Sequence, residues 1–222
     1  MLSRALALNL LYWITVAQAF ISLFLYLYFI IRPGKNNKTT ICLMEYFNIE
    51  SDRLRLIPLT YDHLLLNNDP EKLAFTLGLV SATIEMEQAF ITAYTEALEN
   101  FWKPNTLKYP KYYKWYTNWL IVLKSSNSAI GGIGLSGILN QQGETETGYA
   151  LDLNHRNKGY ATEALTRLTQ WVFEHEAAQA LIAHTHREKN ASQSTLIKAG
   201  FSLIGPEITD DGEVFLWRKV KE

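Results

Sequence analysis

The sequence predicts an α/β domain preceded by one apolar helix, and three features predict it. From about residue 53 onward, runs with strand periodicity alternate with runs of helical periodicity. Within that region an apolar strand, Gly148 to Leu153, passes through a basic loop, His155-Arg156-Asn157-Lys158-Gly159, straight into a helix. Far upstream, the 27 residues from Ala5 to Ile31 carry no charge at all.

Charge divides the chain in the same way. The 222 residues sum to −1, yet residues 1–43 hold Arg4, Arg32, Lys35 and Lys38 and no acid, which leaves the remainder at −5. A mildly acidic domain is a poor partner for nucleic acid, which is bound through basic patches. Cys42 is the only cysteine and precedes the alternating region. An intramolecular disulfide, a cysteine zinc site and a catalytic cysteine are all excluded, and a reducing compartment is expected.

As a helix, residues 5–31 would extend about 40 Å, enough for a hydrocarbon core of about 30 Å with some tilt. Three basic residues follow the segment and one precedes it. That bias places its C-terminal side in the cytoplasm. The expected organisation is a membrane anchor and basic linker over 1–43, with a cytoplasmic domain over 44–222. The competing reading starts translation at Met44, giving a soluble cytoplasmic domain without an anchor.

Along the domain, Arg53–Pro58 alternates basic and apolar residues and reads as an edge-like first strand. Thr60 suits the N-cap of a short helix through Leu66, and Asn67-Asn68-Asp69-Pro70 breaks it. A second helix is expected over Ile84–Trp102, with apolar positions at 84, 86, 90, 91, 94 and 98. Strands follow at Asn118–Leu123, Ile130–Leu139 and Glu144–Leu153. Tyr160–Glu174 is a helix with Ala161, Leu165, Leu168 and Val172 in one stripe. Ala180–His186 is a strand, Ser192–Ala199 a helix ended by Gly200, and Phe201–Ile204 and Glu213–Trp217 complete the sheet.

Two motifs compete for a nucleotide-like ligand. Gly132-Ile133-Gly134-Leu135-Ser136-Gly137 spells G-x-G-x-x-G, but the dinucleotide fingerprint requires its glycines to open a helix. Here they run into Ile138-Leu139 and a turn, so they read as close-approach glycines in a hairpin. The loop after Leu153 does open a helix. Several main-chain N–H groups and a helix dipole converge there, which suits a phosphate or pyrophosphate.

That loop reads R-x-x-G-x-A through Arg156, Gly159 and Ala161, and about thirty residues later come Asn190-Ala191-Ser192 and Lys198-Ala199-Gly200-Phe201. With Ser51-Asp52-Arg53-Leu54-Arg55-Leu56 upstream, Thr145-Glu146-Thr147-Gly148-Tyr149 in the centre and Asp211 to Trp217 at the end, the chain resembles the GNAT acyltransferase superfamily. Within it, the resemblance is to the ribosomal-protein N-acetyltransferase-like branch, over roughly residues 50–220. It implies a mixed, mainly antiparallel central sheet flanked by helices. It also implies transfer of an acetyl group from acetyl-CoA to a primary amine of a protein N-terminus, amino acid or small molecule, by direct attack in a ternary complex. The alternative is a non-catalytic acyl-CoA-binding module.

Under this resemblance Arg156, Asn157, Lys158, Gly159, Tyr160 and Ala161 cradle the pyrophosphate, and Asn190 contacts CoA. Main-chain groups of Leu151, Asp152 and Leu153 lie along the pantetheine arm. On an alternating strand Glu146, Gly148, Ala150 and Asp152 share one face, with Tyr149 on the other. Glu146 is the candidate base for the acceptor amine, whose pKa of roughly 8 to 10 demands one; its alternative is a surface ion pair. Ser192 is the candidate acid for the departing thiolate, because no tyrosine follows Asn190 in its helix. Both Asn190 and Ser192 also suit plain capping roles. His184 and His186 share a strand face without a third ligand, so they read as polar cleft lining and no metal is expected. The aromatic run Phe101, Trp102, Tyr109, Tyr112, Tyr113, Trp115, Tyr116 and Trp119 reads as core packing or as a wall of the acceptor pocket.

Overall fold

Alternation of buried side chains along β2 (Leu54–Pro58) and β3 (Asn118–Leu123) sets two cores on opposite faces of one sheet. Leu54, Leu56, Trp119, Ile121 and Leu123 enter the larger core, and Ile57, Leu120 and Val122 the smaller one, with Leu59, Leu64, Leu77 and Leu98. The computed structural model describes residues 46–209 and 212–222. The expected apolar helix over 5–31 and the boundary at residue 43 lie outside them. Among the described residues, no helix is long and apolar enough to cross a membrane.

The remaining strands are β1 (Ile49–Glu50), β4 (Ser128–Leu135), β5 (Glu144–Leu151), β6 (Ala180–His186), β7 (Ser202–Thr209) and β8 (Gly212–Val220). Their order is β1-β2-β3-β4-β5-β6-β8-β7, and every pairing is antiparallel except β5 with β6. The first predicted strand is therefore not an edge: β1 pairs outside β2. Two residues of pairing are too weak a period to read from sequence.

Helices α1 (Tyr61–Leu65) and α2 (Pro70–Thr76) begin at side-chain caps, Thr60 with a capping box through His63, and Asp69. Helix α3 (Gln88–Ala97) starts four residues later than predicted, continues as a π-helical turn Leu98–Trp102, and leads to α4 (Lys103–Lys108). The delay has a cause in hydrogen bonding. Glu85 spends its N–H on the Asp152 carboxylate and its C=O on the Leu153 N–H, at 2.7 and 2.9 Å, so neither group is available to a helix.

Helix α5 (Tyr160–Phe173) buries Ala164, Leu165, Leu168 and Val172 in the larger core. Helix α6 (Asn190–Lys198) starts two residues before its predicted beginning and is followed by Gly200 at φ 84°. Of the aromatic run, Trp115 and Trp119 belong to this core and close on Trp171, with ring centroids 4.8 and 5.0 Å away. The β4 glycines do allow close approach: a Cβ on Gly132 would lie 2.4 Å from the Asn118 side chain on β3.

Candidate active site

The site originates where β5 and β6 stop pairing. They run parallel only through Glu144–Glu146 and Ala180–Ile182; beyond that, β5 keeps β4 and β6 keeps β8. A fork opens between them. The Asp152 N–H donates to the Ile130 C=O and the Ser136 N–H to the Glu146 C=O, both at 2.9 Å. By the alternation of an antiparallel ladder, even-numbered main-chain groups of β5 face β4, while those of Thr147, Tyr149 and Leu151 face the fork.

At the mouth of the fork lies the basic loop. Asn157 and Gly159 both take positive φ, 60° and 80°, and Gly159 is the residue at which α5 begins, without a side-chain cap. Left-handed backbone suits glycine. The turn aims the unpaired N–H groups of the first helical turn, with the positive end of the helix dipole, out of the loop. Arg53 braces it from β2's side, donating to the Lys158 C=O at 3.1 Å and to Glu163 at 2.6 Å, with its guanidinium over the Tyr160 ring at 4.5 Å.

Asp152 is buried and holds the loop entrance. Its carboxylate accepts from the N–H groups of Glu85 and Asn154 and lies 2.6 Å from His155 Nδ1. Burial opposes its ionisation, but these bonds, led by His155, outweigh burial and keep its pKa low. Its side chain and N–H are thus committed within the protein, as is the Leu153 N–H on the Glu85 C=O, whereas Leu151 points its main-chain groups toward the fork.

On the face away from α5 and α6, Glu146 is the last β5 residue paired with β6. Its carboxylate meets His184 Nδ1 at 2.8 Å, and His184 Nε2 meets Glu207 of β7 at 3.1 Å. Burial lowers the His184 pKa, but the two carboxylates reverse this and raise it above the ordinary value. One step back along the same face, Arg218 pairs with Glu144 at 2.8 Å.

On the helix face, Tyr149 extends from β5 to α6 and donates to the Ser192 C=O at 3.2 Å, with the Ser192 and Thr195 hydroxyls beside its own. Burial pushes its pKa up to about 12. Ser192 is the third residue of α6 and Asn190 the first, so neither occupies the cap position, which is held by Lys189 without a side-chain bond. The capping alternative for both residues gives way.

Closing the far side is the segment that precedes α3. Glu87 lies 2.6 Å from Arg156 and 3.5 Å from Lys189, and Phe90 sits beneath both cations, 6.0 and 5.4 Å from its ring. Sequence reasoning missed this segment, the Glu146–His184–Glu207 chain and the placement of Tyr149. A usable signal existed for Tyr149: strand alternation places it on the α6 side, where an acid was wanted. No group of three or more His, Cys, Asp or Glu residues suited to a metal occurs among the described residues.

Comparison with known proteins agrees with the topology. A family model described as "Acetyltransferase (GNAT) domain" matches residues 53–202. An uncharacterized N-acetyltransferase, YjdG, of Bacillus subtilis (strain 168) is 36% identical over 90 residues, which cover 40% of this chain and 54% of that protein; the match spans about half the relative's length. The crystal structure of a ribosomal-protein-S5-alanine acetyltransferase from Vibrio fischeri aligns with a TM-score of 0.56 at 17% identity, covering 79% of this chain and 97% of that one. A RimL ribosomal L7/L12 alpha-N-protein acetyltransferase in complex with coenzyme A aligns with a TM-score of 0.57 at 16% identity, covering 78% and 98%. At these identities the structural matches establish the fold. With the family model covering most of the chain, the protein belongs to the GNAT acetyltransferase family of acyltransferases.

Proposed function

We propose that this protein transfers an acetyl group from acetyl-CoA to a primary amine by direct attack within a ternary complex. The observation that carries the reading is the fork between β5 and β6, with a main-chain cradle at its mouth and a carboxylate at its base. Gly159 with positive φ and the open first turn of α5 suit a pyrophosphate, with Arg156, Asn157, Lys158, Tyr160 and Ala161 around it and Asn190 across the opening. Leu151 supplies main-chain partners for the pantetheine arm, and Asp152 shapes that stretch.

When bound, acetyl-CoA supplies the activated thioester. A fork-facing N–H of β5 polarises its carbonyl, an oxyanion-type contribution. Glu146, through water, takes the proton of the incoming ammonium, so that a neutral nitrogen attacks the carbonyl carbon as the C–S bond breaks. On the α6 side, the Ser192 hydroxyl, with Tyr149 beside it, gives a proton to the departing sulfur and is reprotonated from water, while the second proton of the attacking nitrogen leaves to solvent as the amide forms. The products are an N-acetylated amine and CoA with a free thiol.

The acceptor is a protein N-terminus, an amino acid or an amine-bearing small molecule. The test is thiol release from acetyl-CoA across a panel of amines with wild-type and Glu146→Gln protein. Amine-dependent release that drops at least tenfold in the variant, with acetyl-CoA binding intact, supports the reading. Unchanged release in the variant removes Glu146 from the mechanism.

A further inference from the structure

Glu146 does not stand alone at the base of the fork. His184 lies two residues beyond the last β6 residue paired with β5, so its contact with Glu146 spans the gap just where main-chain bonding between the two strands ends. Both imidazole nitrogens face carboxylates, Nδ1 toward Glu146 Oε1 at 2.8 Å and Nε2 toward Glu207 Oε2 at 3.1 Å. Ionised carboxylates only accept hydrogen bonds, so the ring satisfies both only as an imidazolium donating from each nitrogen.

The other charged groups on this face are accounted for. Arg218 of β8 is paired with Glu144 of β5, the β8 partner opposite His184 is Leu216, and His186 follows two residues along β6. Among the described residues, the second carboxylate oxygen of Glu146 makes no hydrogen bond and the side chain is 40% exposed. Beside it, Gly148 has open space where a Cβ would be. One oxygen is anchored while the other faces the space in which an acceptor would approach.

We propose that His184 is a positioning residue, aiming the Glu146 carboxylate across the fork, and that Glu207 fixes the imidazole from its far side. The proposal rests on the reading of Glu146 as the base. Removing the ring frees the Glu146 side chain to rotate, without touching the cradle at the other end of the fork.

The test compares wild type, Glu146→Gln, His184→Gln, His184→Ala and Glu207→Gln in the amine-dependent thiol-release assay, which gives kcat and the KM for acetyl-CoA, with acetyl-CoA affinity measured by calorimetry. His184→Gln keeps an N–H donor and loses the charge. Expected are a fall in kcat of roughly tenfold in His184→Ala and partial recovery in His184→Gln, with the KM for acetyl-CoA unchanged in both. Glu207→Gln lowers kcat by less. Acetyl-CoA affinity stays within about twofold, which also shows that the variants are folded. His184 variants whose kcat matches wild type, while Glu146→Gln is impaired, overturn the proposal and leave Glu146 as a base held by other means. Unimpaired turnover in Glu146→Gln overturns the base assignment itself, and the positioning role with it.

Discussion

Glu87 and Arg156 form a 2.6 Å ion pair between the segment before α3 and the R-x-x-G-x-A loop. The hydrogen bond from Arg156, with its charge and that of Lys189, holds the Glu87 carboxyl below its ordinary pKa. Arg156 is one of the cations assigned to a pyrophosphate, so Glu87 competes with that ligand for it. Glu87→Gln should tighten acetyl-CoA binding by roughly two- to fivefold, a modest gain because exposed ion pairs are weak. Titration calorimetry of the variant checks it; weaker binding would mean that Glu87 helps to build the site instead.

Arg53 and Glu163 join the first resemblance motif to the first turn of α5. Glu163 accepts from the Arg53 N–H, the Arg53 guanidinium and the Ser51 hydroxyl at 2.8, 2.6 and 2.7 Å. Burial opposes its ionisation, yet these bonds prevail and lower its pKa. Glu163→Ala should cost about 1–3 kcal/mol, since it leaves donors unpaired. A depressed carboxyl contributes stability above its unfolded pKa near 4.3 that is lost as pH falls through the lower folded value. The difference in denaturant midpoint between variant and wild type should therefore shrink below about pH 4.

The proton for the thiolate has two neighbouring sources. Ser192→Ala and Tyr149→Phe, compared by kcat under saturating substrates, separate them. Tyr149 keeps its proton across the working pH range, since burial holds its pKa up at about 12, and its hydroxyl is fastened to the Ser192 C=O. The expected order is a larger loss, on the order of tenfold or more, for Ser192→Ala than for Tyr149→Phe. The reverse order would transfer the acid role to the tyrosine.

Gly159 should tolerate no side chain. At φ 80°, Gly159→Ala imposes a left-handed backbone on an L-residue at about 1–2 kcal/mol. It also sets a Cβ 3.4 Å from the Arg53 guanidinium that braces the loop. Acetyl-CoA affinity should fall by at least tenfold with only a modest loss of thermal stability; retained affinity would move the cradle elsewhere.

Much of this architecture was legible because it is periodic. Asn118–Leu123 and Ala180–His186 have the predicted bounds, and Tyr160–Phe173 ends one residue early. Their buried faces repeat at intervals of two or between three and four. The cradle was legible for another reason: its glycine, its charges and the helix start are neighbours in sequence. What could not be read was set by partners distant in the chain. The start of α3 depends on Glu85 bonding 67 residues away to Asp152. The pairing of Glu146 with His184 depends on where a parallel ladder ends, and β1 on a two-residue pairing. Alternation correctly separated Glu146 from Tyr149, but only the packed helix α6 shows what the tyrosine touches.

The most direct test of the account is calorimetric titration of the purified protein with acetyl-CoA, alongside CoA. Saturable one-to-one binding with a Kd on the order of micromolar, weakened in Gly159→Ala, is the predicted result. No binding by a folded sample would contradict the account at its base, since every catalytic role assigned to the fork presupposes acetyl-CoA within it.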